Sequence, residues 1–112
     1  MKRKFRPLLV DLPRVPGVYL IEHLPTAQLY IGCTTRSVEY GISTRIAHHF
    51  DNLVRNVHPN PTMQKTWNED PNVDNWWVEA LELTTDKGRE RVWMNALGIP
   101  NEYDFNKVGC RR

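Results

Sequence analysis

Cysteine is scarce in this 112-residue chain, with only Cys33 and Cys110, far apart and in no CxxC pair. That spacing argues against a disulfide framework and a zinc ribbon, and leaves Cys33, directly after a strand-like run, as a small half-buried residue. No apolar run approaches the about 20 residues that cross a bilayer. Pro7-Leu8-Leu9-Val10, behind the basic start Met1 to Arg6, is too short for a signal-peptide core. Repeats and low-complexity tracts are missing too, which argues against solenoids and fibrous proteins. An intracellular, cytoplasmic location away from membranes is therefore expected. Strong net charge is also lacking, at only +2, so the chain is no generic polycation.

The charge that is present is unevenly spread. Residues 1–60 carry eight Lys/Arg against four Asp/Glu, whereas residues 61–112 carry seven against nine. The basic half suits a polyanionic partner, and it equally suits a solvated basic surface. At this length one domain is expected, residues 16–112, preceded by a basic arm over 1–15 that Pro7 and Pro13 keep irregular.

Two aromatic triplets stand eleven residues apart, Gly17-Val18-Tyr19 and Tyr30-Ile31-Gly32. Each lies in a run of strand composition, one from Pro16 to about His23 and the other over Leu29 to Cys33. Pro25 to Gln28 between them reads as a turn, so a hairpin should bring both phenols onto one small sheet. Ile42, Ile46, Phe50, Leu53, Val54 and Val57 recur at helical spacing, predicting a helix over 43–57 capped by Ser43 or Thr44. His58-Pro59-Asn60-Pro61 stops it, and Met63 to Asn68 predicts a second, short helix. A Trp- and Val-rich strand is expected over 75–83, then a helix over 86–97 closed by Gly98. The order β-β-α-α-β-α defines an α+β fold, a small three-stranded, mostly antiparallel sheet flanked by helices.

Four further residues carry chemistry at suggestive positions. Arg45 and His49 are four apart, so they share a helix face. A guanidinium matches phosphate oxygens, and an imidazole can orient or deprotonate a phenol or a water. Both residue types are also ordinary on helix surfaces. Glu90 is aligned with Trp93 and Leu97 on the inner side of the last helix. A carboxylate there calls for a partner, either a divalent cation or Lys87 in a surface ion pair. Asn106 is an amide near the C-terminus that serves a turn or a phosphate. A phenol is a poor base near neutral pH unless positive charge depresses its pKa, as a metal and Arg45 beside Tyr19 would do. A zinc site from His48, His49 and His58 is disfavoured, because adjacent helical residues point about 100° apart.

Taken together, the set resembles the GIY-YIG nuclease family, with Val18 in place of the eponymous isoleucine and the second triplet intact. Pro16, the Arg45/His49 pair, Met63-Gln64-Lys65-Thr66-Trp67-Asn68, the late motif Arg89-Glu90-Arg91-Val92-Trp93-Met94 and Asn106 all match, over residues 16–106. His58 falls where some homing-type members carry another histidine. The stretch from Gly32 to Arg45 is longer than usual in that family, so Tyr40 to Thr44 looks inserted.

The resemblance implies metal-dependent hydrolysis of DNA with Tyr19, Tyr30, Arg45, His49, Glu90 and Asn106 in the catalytic set. Tyr19 would be general base, or hand a proton through to it, and Glu90 would hold one Mg2+ or Mn2+. Arg36, Tyr40 and His58 would contact substrate. A homodimer or a partner protein would supply DNA specificity. The alternative is a catalytically weak or inactive DNA-binding or assembly module of the same fold.

Overall fold

The computed structural model describes residues 12–34 and 41–98. The first eleven residues of the basic arm, Arg36, Tyr40 and Asn106 lie outside them. Strands β1 (Gly17–His23) and β2 (Gln28–Thr34) form the expected hairpin. Helices α1 (Ile42–Val54) and α2 (Pro61–Glu69) follow, then a short 3-10 turn over Val73–Asn75, strand β3 (Trp76–Leu83) and helix α3 (Gly88–Leu97). The sheet order is β2-β1-β3 and both pairings are antiparallel, so the tyrosine strand β1 is central.

Strand alternation divides the core into two layers. Tyr19 and Ile21 of β1 and Trp76 and Val78 of β3 face α1 and α2, where they meet Ile42, Ile46, Phe50, Leu53, Met63 and Trp67. Phe50 meets both Trp67 and the fully buried Trp76 edge-on, with Phe50 and Trp76 centroids 5.6 Å apart at 87°. The opposite face carries Val18, Leu20 and Ile31 against Met94 of α3, with Trp77, Leu81 and Trp93 at its margin.

The helix ends differ from expectation in two instructive ways. Neither Ser43 nor Thr44 caps α1; the cap is Gly41, with no side-chain bond. The free N–H groups of Ile42 and Ser43 instead donate to the carbonyls of Val15 (3.0 Å) and Pro13 (2.9 Å). The end of the expected arm is thereby tied to the domain, and Leu12 packs against its core. At the other end, α1 stops at Val54. Asn56 adopts φ 61°, and Val57 N–H bonds back to Asn52 and Asn56 N–H to Leu53. This left-handed closure leaves Val54 and Val57 outside the buried stripe and exposed. Gly98 closes α3 as expected, at φ 73°.

One irregularity bears on the site. Val18 opposes Glu82 but Tyr19 opposes Ala80, which makes Leu81 an extra residue on β3. Such a bulge lets two consecutive side chains share a face. Leu81 joins the α3 layer, and Glu82 accepts hydrogen bonds there from Arg89 Nε (2.9 Å) and Trp93 Nε1 (2.9 Å).

Candidate active site

Tyr19 is fully buried, and its phenol lies directly over Gly32 on the neighbouring strand. A β-carbon at position 32 would fall 2.4 Å from both Cζ and Oη of Tyr19, so only glycine leaves space for the ring. Tyr30, opposite Ile21 and two residues from Gly32, shares this face; the two phenol rings are 6.3 Å apart. The hairpin thus brings both triplets together as their spacing predicts.

Helix α1 adds the polar partners. The Tyr19 hydroxyl is 2.9 Å from His49 Nε2, and the Arg45 guanidinium lies close enough to the phenol to favour its charged form. Residues four apart on one helix face therefore both turn toward Tyr19. His49 is buried among the apolar residues of α1 rather than solvated on its surface, with Tyr30 5.1 Å away, ring to ring.

Behind His49 stands His58, its Nε2 2.8 Å from His49 Nδ1 and the two rings nearly parallel at 24°. His58, expected as a substrate contact, has its ring buried against His49. The Pro59-Asn60-Pro61 corner folds back to begin α2 and turns His58 inward. Asn60 N–H donates to His58 Nδ1 (3.0 Å), and Gln64 Oε1 accepts from His58 N–H (3.0 Å). Gln64 Nε2 in turn donates to the Leu53 carbonyl (3.0 Å) at the end of α1. Neither Asn60 nor Gln64 was expected to support the site. The available signal was Asn60 before Pro61, a helix cap followed by proline at the first helical position.

Burial dominates the electrostatics. It raises the Tyr19 pKa well above its ordinary value of 10.0; Tyr30 adds to the rise and Arg45 pulls the other way. Arg45 by itself does not offset removal from water; the depression expected of the phenol needs a metal beside it as well as Arg45. Burial likewise lowers His58 to about 4, which keeps it neutral near neutral pH.

Glu90 belongs to the first turn of α3, across the sheet from α1, and is only 3% exposed. The preceding residue, Arg89, is fixed to Glu82, the partner of Val18 next to Tyr19. This holds the Glu90 turn at the end of the sheet that carries both Gly17 and the start of α1. Among the described residues no group of three His, Cys, Asp or Glu forms a metal cluster. A single buried carboxylate fits a hard divalent cation, which is commonly held by one or two carboxylates with substrate phosphate and water. It does not fit zinc, and His48 is exposed and turned away from the His49–His58 pair.

The structure describes a three-stranded antiparallel α+β fold, with its paired tyrosines, Arg45 and His49 gathered on one sheet face. The chain is similar to the catalytic domain of the homing endonuclease I-TevI at 22% identity and TM-score 0.65, covering 82% of this chain and 99% of that one. A mutant of the catalytic domain of intron endonuclease I-TevI matches at 23% identity and TM-score 0.61, over 74% and 84% of the respective chains. No protein-family model and no curated protein sequence matches the chain. No helix among the described residues is long and apolar enough to cross a membrane.

Proposed function

We propose that the protein is a divalent-metal-dependent DNA endonuclease that hydrolyses phosphodiester bonds to 5′-phosphate and 3′-hydroxyl ends. The observation that carries this reading is the Tyr19 oxygen, enclosed by His49 and Arg45 above Gly32. A buried phenol bonded to an imidazole nitrogen, with a guanidinium charge nearby, is suited to bear negative charge transiently. It is an uncommon investment for a purely structural strand aromatic. The similarity in fold to a homing endonuclease catalytic domain supports the same class of chemistry.

In this reading Tyr19 first releases its own proton to bulk solvent and, as the phenolate, takes the proton of the attacking water, directly or through a neighbouring water. Tyr30 and His49 position Tyr19 or that water, and Arg45 offsets charge developing on the phosphate. Glu90 would hold one Mg2+ or Mn2+, whose charge polarises the scissile phosphate and lowers the energy of the leaving 3′ oxygen. Arg36, Tyr40 and Asn106 remain proposed substrate and support contacts. A homodimer or a partner protein remains the proposed source of sequence preference.

The test is cleavage of plasmid DNA with and without magnesium, with mapped product ends, for the parent chain, Glu90→Ala and Tyr19→Phe. Metal-dependent cleavage lost in both variants is expected. Full activity of Glu90→Ala would remove the metal assignment, and a near-parent rate for Tyr19→Phe would remove the base. The second reading, a DNA-binding or assembly module without cleavage, has the raised Tyr19 pKa on its side. DNA binding by a parent chain that never cleaves, retained in Glu90→Ala, would establish it.

A further inference from the structure

The three groups in line, His58, His49 and Tyr19, have a proton polarity that their surroundings decide. Pro59-Asn60-Pro61 contains one backbone N–H, that of Asn60, because proline has none. It donates to His58 Nδ1, so that nitrogen must present its lone pair. A neutral His58 then carries its only proton on Nε2, which faces His49 Nδ1 at 2.8 Å. His49 Nδ1 must accept, so the proton of a neutral His49 is on Nε2, 2.9 Å from the Tyr19 oxygen.

We infer that His49 is a fixed hydrogen-bond donor to Tyr19 rather than the acceptor of its proton, and that His58 is the positioning residue that enforces this direction. The reverse direction fails on chemical grounds. If the phenol donated to His49 Nε2, His49 would carry its proton on Nδ1 and point it at His58 Nε2. His58 would then need lone pairs on both nitrogens, an imidazolate. An imidazolium at His49 would set two N–H groups against each other across 2.8 Å. The Tyr19 proton must therefore leave toward an acceptor outside the histidine pair, while the His49 N–H stays on the oxygen and stabilises the phenolate. The nearby Arg45 charge favours the phenolate in the same direction. Burial holds His58 neutral, as the chain of bonds requires.

This inference rests on the nuclease reading for its consequence in catalysis, but its geometry is testable without DNA. In protein with 15N-labelled histidine, long-range proton–nitrogen correlation at neutral pH should show both His49 and His58 with protonated Nε2 and bare Nδ1. A His49 with bare Nε2, or a doubly protonated one, overturns the proposal. In His58→Phe the His49 tautomer should no longer be fixed. Cleavage should then lose on the order of 10- to 100-fold in kcat, as when an outer partner orienting a histidine is removed, with KM for DNA little changed. His58→Gln, whose side-chain N–H can still reach His49 Nδ1, should restore the tautomer and most of the rate. Unchanged tautomer and kcat in a folded His58→Phe would overturn the positioning role. If that variant fails to fold, the parent spectrum and His58→Gln still decide. A parent chain with the stated tautomers but no cleavage would defeat the nuclease reading alone.

Discussion

Gly32 is the floor on which the Tyr19 ring rests, since a methyl group there would lie 2.4 Å from the phenol oxygen. Gly32→Ala should therefore displace the ring from His49 while the sheet, which has backbone pairing on both sides of β1, persists. Overpacking of this kind costs about 1–3 kcal/mol. Thermal unfolding should show that loss, and DNA cleavage should fall by about 100-fold or more, as for removal of a general base. Parent-level cleavage would mean that the ring has another place to go.

Acid should weaken the fold before the carboxylates titrate. His58 has a folded pKa of about 4 against an ordinary 6.5, so the unfolded chain takes up a proton first as pH falls. Its contribution is complete above about 6.5 and is lost progressively toward 4, on the order of 2 kcal/mol after allowing for its contact with solvent. His23, lowered by burial against the weaker pull of Asp70, acts in the same direction. Denaturant titrations from pH 7.5 to 4 should show this slope, and it should flatten in His58→Phe. An equal slope in that variant would exclude His58 as the source.

Removing the Glu82 carboxylate should loosen α3. Glu82→Ala deprives Arg89 and Trp93 of their shared acceptor. A lower melting temperature is expected, with faster amide exchange in α3 than in α1. Cleavage should fall as well, since Glu90 follows Arg89 on the same turn. Uniformly faster exchange across both helices would count against a local anchor.

Trp76→Ala should be the more severe change to the core. The ring is fully buried between Phe50 and Trp67, with His23 tilted against it, centroids 4.8 Å apart. A loss of about 3–5 kcal/mol is expected from equilibrium unfolding. A loss below about 1 kcal/mol would mean that α2 closes over the space.

The parts of the site that share one element or one hairpin were legible in the sequence. Tyr19 and Tyr30 follow from two strands and a short turn, and Arg45 and His49 from the helical repeat. Features decided by distant backbone were not. Carbonyls of Pro13 and Val15 finish α1 in place of Ser43 or Thr44, and the Asn60 N–H bonds the His58 ring that meets His49. The bulge at Leu81 breaks the two-residue repeat that strand reading assumes, so Glu82 gave no sign of its role as an anchor. Arg45 by itself does not outweigh desolvation at Tyr19, a balance that residue spacing does not contain.

The same bulge has a mechanical consequence. A helix seated on one side chain can pivot about it like a lever on a single pin. Leu81 and Glu82 point to one face in succession, giving α3 an apolar seat and a polar latch side by side. Two neighbouring fasteners set an angle where one would set only a position. Glu90 thus inherits its bearing from a strand irregularity nine residues earlier, at Leu81.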